Sequence, residues 1–169
     1  ATLSNKKTIE NPRFLDKALK NIGKISRRIE SNPSKKNKHS LALAHEKVRN
    51  KRNDFHHKES SKLVSKYSKI FVENLDISQM KEKHWVSRQI SDAGWYSFIL
   101  KCEYKAEEAG VVFGKVNPAY TSQDCSRCGY REFKKLNSIE HHCKECGLRI
   151  GRDLNAAINI KTRGLASLE

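Results

Sequence analysis

At 169 residues and 37% hydrophobic content, the chain has room for one ordinary domain, or for a small core with an appended metal module. No apolar run approaches a membrane span and no charged-then-apolar leader opens the sequence, so a soluble, cytoplasmic protein with no membrane partner is expected. The formal charge of +15 is uneven: residues 1–70 carry 19 Lys and Arg against 6 Asp and Glu, a net +13 against +2 for the remainder, which points to a polyanionic partner over a merely solvated helix pair.

In chain order, Ala1 to Ile9 alternates weakly about Ser4-Asn5-Lys6-Lys7 and predicts a small hairpin. From Asn11-Pro12 onward, Phe14, Ala18, Ile22, Ile25 and Ile29 recur at helical spacing, with Pro12 suited to the first turn. Residues 31–38 break the pattern as a basic loop, and a second helical run follows through Leu41, Ala44, Val48 and Phe55 toward Leu63 and Tyr67. Lys35, Lys36 and Lys38 in that loop, with Arg49, Lys51 and Arg52 beyond it, are the candidate phosphate contacts.

Residues 69–75 read as a short buried strand with Glu73 at its C-terminal edge. An acid there either faces water or belongs to a metal site, because burying it unpaired is costly. A polar loop around Met80 to His84 leads to a helix in which Trp95, Phe98, Ile99, Cys102 and Ala106 share a face, ending at Gly110. Cys102 is expected in the core, as is Trp95, while Trp85 is a candidate for stacking on bases. Residues 111–116 form the next strand, which Pro118 ends.

Then come Cys125-Ser-Arg-Cys128 and Cys143-Lys-Glu-Cys146, separated by 14 residues. Two such pairs supply four thiolates to one tetrahedral Zn2+ and leave no open position for water, so the zinc is structural. A glycine follows each pair, suiting the tight turns that aim thiolates at a metal. Two disulfides or four separate thiols are the alternatives. The adjacent pairs His56-His57 and His141-His142 are expected to face solvent, since four cysteines already satisfy zinc. Asp153 or its neighbour opens a last helix carrying Leu154, Ala157, Ile158 and Ile160, and on its own it reads as an N-cap.

A strand ending in Glu, a helix, a strand, Thr121-Ser122-Gln123 before the first pair, Gly after each pair, and Arg152-Asp153-Leu154-Asn155-Ala156-Ala157 together form a diagnostic order. It resembles the C-terminal half of the OrfB/TnpB proteins of bacterial insertion sequences, often labelled transposases, and their type V CRISPR relatives. The resemblance runs from Ile9 to Ile160 and is most specific from Tyr120 to Ala157. It implies an α/β, RNase H-like (RuvC) nuclease fold lacking its first strand and interrupted by a zinc ribbon. Residues 1–120 would form the partial nuclease core with a basic helical hairpin at 11–68, residues 121–150 the ribbon, and residues 151–169 the closing segment and helix.

The resemblance also implies DNA and a guide RNA as partners, nucleoid association in a prokaryote, and Mg2+-dependent cutting of DNA by three converging carboxylates. Carried over by motif, Glu73 is the second carboxylate and Asp153 the third, with the ribbon bracing Asp153 toward Glu73. Small departures are Glu73-Asn74-Leu75 where the family commonly has Glu-Asp-Leu, and Gly151-Arg152-Asp153 where it has Asp-Arg-Asp. The first carboxylate belongs to a Gly-Ile-Asp-Leu-Gly-like strand upstream of the segment matching Ala1-Thr2-Leu3-Ser4. Among the acids before residue 69, Glu10, Asp16, Glu30, Glu46, Asp54 and Glu59, none sits in such a strand. A C-terminal fragment inactive on its own is therefore expected. The alternatives are a catalytically dead remnant that still binds nucleic acid and, more remotely, a zinc-binding adaptor. The sequence sets no oligomeric state.

Overall fold

The computed structural model describes residues 1–76, 94–133 and 138–169, and the predicted Met80 to His84 loop and Trp85 lie outside them. Elements follow in the order α1 (Phe14–Ser31), α2 (Lys35–Lys66), β1 (Lys69–Glu73), α3 (Trp95–Glu108), β2 (Val112–Val116), β3 (Glu140–His142), β4 (Arg149–Gly151) and α4 (Arg152–Ala166). They divide between two compact units. One is built from residues 1–10, 66–76 and 106–169, the other from 11–65 with 94–105 among the described residues.

In the helical unit, α1 turns inward the stripe predicted from its spacing, with Ile22 the most buried member. Its start differs from expectation. Helical backbone begins at Phe14, and Arg13 adopts φ 50°, so Pro12 precedes the first turn. The connection to α2 is also shorter than predicted, because Ser34 Oγ accepts the Asn37 N–H at 3.3 Å and caps the new helix early. Lys35, Lys36 and Lys38 accordingly lie on the first turn of α2 rather than in a loop.

The interior of this unit is aromatic. Phe14 meets Phe55 edge to face at 6.1 Å, while His56 and Trp95 each approach Phe98, at 5.7 and 5.9 Å. His56 is 3% exposed, which corrects the expectation that it faces solvent: it falls on the buried face with Val48 and Ser60. Lys105 on α3 reaches back to α2, donating to the His57 carbonyl and to Ser60 and Ser61 Oγ at 2.7, 3.0 and 2.8 Å. Cys102 is 1% exposed, and burial pushes its thiol up to about 12, as suits an inert core residue.

The other unit contains the predicted N-terminal hairpin, with Thr2 bridged to Thr8 and the Leu3 N–H bonded to the Lys7 carbonyl at 2.8 Å. Its sheet pairs β1 and β2 in parallel, Ile70 opposite Phe113 and Glu73 opposite Val116. Parallel neighbours need a crossover, and among the described residues α3 is the helix that lies between β1 and β2 in the chain. Helix α4 packs on both strands. Phe71 fills a slot between glycines: a Cβ at Gly114 would lie 2.8 Å from its ring, and one at Gly164 would overlap it. The short antiparallel pair β3 and β4 flanks the second cysteine pair and also touches α4. Among the described residues no helix is long and apolar enough to cross a membrane.

Candidate functional site

The four cysteines converge. Their Sγ atoms all lie within 4.8 Å of one another, with Cys125 to Cys146 and Cys128 to Cys143 each at 3.6 Å. Zn–S bonds of 2.3 Å in a tetrahedron place sulfurs about 3.8 Å apart, so both the spacing and the soft donor set fit Zn2+. The two halves are built alike. Cys125 N–H donates to the Tyr130 carbonyl and Cys143 N–H to that of Leu148, both at 2.9 Å, while Gly129 and Gly147 N–H return to the Cys125 and Cys143 carbonyls. The two glycines hold φ 78° and 71°, the left-handed turn their positions suggested.

Burial opposes ionisation of Cys125, yet N–H groups of Cys128 and Arg127, together with His141 and Cys146, bring its thiol down to about 6. Cys128 moves the other way. The Tyr130 N–H favours its thiolate, but desolvation and the neighbouring thiols push it up to about 12. Four packed thiols cannot all shed protons unaided, and a divalent cation removes that conflict. His141 is 0% exposed beside this cluster, again correcting the expected solvent exposure. On β3 its side chain hydrogen-bonds Cys125, whereas His142 is exposed.

Glu73 ends β1 half-buried, and its Oε1 accepts a 2.5 Å hydrogen bond from Thr121 Oγ1. Asp153 sits one residue into α4, its side chain 70% exposed and 3.3 Å from the Arg152 guanidinium. It makes no N-cap bond, because Gly151 occupies that position. Both acids belong to the unit holding the cysteines. Among the described residues, the cysteines are the one cluster of three or more His, Cys, Asp or Glu placed to hold a metal. Lys35, Lys36, Lys38, Arg49 and Lys51 are exposed along α2, whereas Arg52 is half-buried with its stem toward Gly94.

The most buried positions of α4 are Asn155, Asn159 and Gly164, not the predicted apolar set. Physically, this face meets a loop whose carbonyls need donors. Asn159 Nδ2 donates to the Thr121 and Asp124 carbonyls at 2.8 and 2.7 Å. Asn155 donates to the Asp124 carbonyl at 2.8 Å and accepts the Ser126 N–H at 3.0 Å. Arg163 adds bonds to the Asn117 and Ala119 carbonyls and an ion pair with Asp124 at 2.9 Å. Arg131 clasps the other Asp124 oxygen at 2.6 Å and lies 3.6 Å over the Tyr120 ring. Under that guanidinium, Tyr120 adopts φ 62°. These groups went unassigned in the sequence, although two asparagines four apart in an amphipathic helix mark one face for polar contact.

The OrfB IS605 family model, described as a probable transposase, matches residues 1–84, and a Cas12f1-like TNB domain model matches residues 95–160. A putative RNA-guided DNA endonuclease from Streptomyces pristinaespiralis is 33% identical over 98% of this chain and 43% of its own length. The putative RNA-guided DNA endonuclease InsQ of Escherichia coli (strain K12) is 29% identical over 99% of the chain and 47% of its own length. The chain thus spans less than half the length of these relatives. Among solved structures, a Cas12f1–sgRNA–target DNA complex superposes with TM-score 0.65 at 22% identity, covering 91% of this chain and 43% of that one, a likeness of fold. With two family models covering its two halves in sequence, the chain belongs to the OrfB/TnpB family of insertion-sequence proteins, relatives of Cas12f1.

Proposed function

We propose that this chain supplies nuclease-domain elements of an RNA-guided DNA endonuclease, with β1 and β2 part of an RNase H-like (RuvC) sheet, residues 121–150 its zinc ribbon, and Glu73 and Asp153 two of its active-site carboxylates. One observation carries the reading: Glu73 closes β1, Asp153 opens α4, and α4 packs on β1 while its amides hold the loop leading to the cysteines. The two acids are hard oxygen donors of the class Mg2+ takes, one or two at a time beside water and substrate phosphate. When bound, Mg2+ supplies activation of the attacking water and neutralises charge on the phosphate. On the protein side, Thr121 holds one oxygen of Glu73, and α1 and α2 offer lysines and arginines to phosphates. Relatives named as RNA-guided DNA endonucleases support DNA and RNA as the polyanions that the charge of +15 anticipates, and association with the nucleoid follows.

A second reading, nucleic-acid binding without cutting, draws on the described residues holding no cluster of three acids. The full chain with guide RNA and Mg2+ on plasmid DNA, with the upstream part of a TnpB-family protein carrying the first carboxylate supplied in trans, separates the two. Cleavage that Asp153→Ala and Glu73→Gln each reduce to background supports the nuclease, and RNA retention with no cleavage supports the binder.

A further inference from the structure

We propose that Thr121 is the positioning residue for Glu73, and that the four-cysteine site, when it holds zinc, keeps Thr121 in place through the α4 asparagines. The inference rests on the reading of Glu73 as an active-site carboxylate. Thr121 is 3% exposed, and its Oγ1 lies 2.5 Å from Glu73 Oε1 and 3.1 Å from the Pro118 carbonyl oxygen. The hydroxyl has a single proton for two acceptors. The Glu73 oxygen is the nearer of the two by 2.5 Å against 3.1 Å, so the proton goes to Glu73 and fixes that oxygen.

Thr121 is not free to shift by itself. Its carbonyl shares Asn159 Nδ2 with the Asp124 carbonyl, which also accepts from Asn155, and Asn155 takes the N–H of Ser126, the residue after Cys125. A continuous run of hydrogen bonds and backbone therefore leads from a zinc ligand to the Glu73 carboxylate inside one compact unit. Metal held by Cys125 fixes the Cys125-Ser126 turn, and the asparagines carry that order to Thr121, as outer groups orient the members of a site. The coupling is reciprocal: whatever order zinc gives Glu73, the Thr121 to Glu73 bond returns to zinc affinity.

Two readouts on the full chain test this, neither needing cleavage. Chelator competition measures zinc affinity. NMR of chain labelled with glutamate carrying 13C at Cδ reads the Glu73 carboxyl, its signal identified by loss in Glu73→Gln. Thr121→Val is expected to move the Glu73 signal and to weaken zinc about fivefold, the low end of measured site couplings. Thr121→Ser should keep both at wild-type values. Removing zinc from the wild type should move the Glu73 signal, and so should Asn159→Ala with zinc still at one per chain. A wild-type Glu73 signal in Thr121→Val overturns the positioning role, and an unmoved signal on zinc removal overturns the coupling. Cleavage by Glu73→Gln at the wild-type rate overturns instead the reading of Glu73, a result distinguishable because both other readouts stand apart from it.

Discussion

Asp124 gathers more charge than any other acid of the ribbon loop. The Arg131 hydrogen bond, joined by the charge of Arg131 and Arg163, outweighs desolvation and holds its carboxyl below the usual range. An acid whose folded pKa is depressed adds stability above its unfolded value, near 4, and loses it as pH falls through the folded one. Acid titration below about pH 4 should therefore loosen the 117–126 loop, and Asp124→Asn should flatten that dependence, as read by the pH profile of thermal midpoint. Asn159 carries the other residue-scale prediction. Asn159→Leu leaves the buried Thr121 carbonyl without its side-chain donor, while Asp124 keeps the one from Asn155, and should cost about 1–3 kcal/mol in urea unfolding. By contrast, Asn159→Leu would be harmless if apolar burial were what this helix face contributes.

At the scale of elements, β1, β2 and α4 are locked by one ring. Gly164→Ala would drive a methyl into Phe71 and should cost about 1–3 kcal/mol, with Phe71→Leu alongside it recovering part of the loss. Most of these elements were legible in the sequence. The α1 stripe, the β1 run ending at Glu73, the α3 face, and the cysteine pairs with their glycines all rest on local periodicity or spacing. The misreadings share a different cause. Lysine-rich residues 35–38 lack apolar periodicity, yet Ser34 caps a helix through them, and a cap is a hydrogen bond rather than a pattern. His56 and His141 are polar in one dimension and buried in three, because burial depends on which face of α2 or β3 they occupy. The Thr121 to Glu73 bond spans 48 positions and has no local signature at all. Resemblance marks both positions, but only the fold sets which group each one bonds.

For the whole molecule, charge and metal make separable demands. Replacing Lys35, Lys36 and Lys38 with Ala should reduce the slope of log K against log salt for RNA binding by up to about 2, since each phosphate contact contributes about 0.7 on a single strand. Such a change would weaken binding across sequences alike. Chelating zinc should unfold the ribbon while α1 and α2, which lie in the other unit, keep most of the helical circular dichroism at 222 nm. Loss of nearly all helical signal would contradict that separation. The same closeness that suits the cysteines to a cation gives them a second fate. Cys125 with Cys146, and Cys128 with Cys143, stand 3.6 Å apart sulfur to sulfur, short of a bond by about 1.6 Å. Each pair needs only to surrender two electrons and two protons to an oxidant to be joined, and a joined pair no longer offers thiolates. Exposure to air without a reductant is therefore expected to join these pairs and abolish metal uptake by the four cysteines until a reductant is added, which thiol titration alongside zinc binding checks.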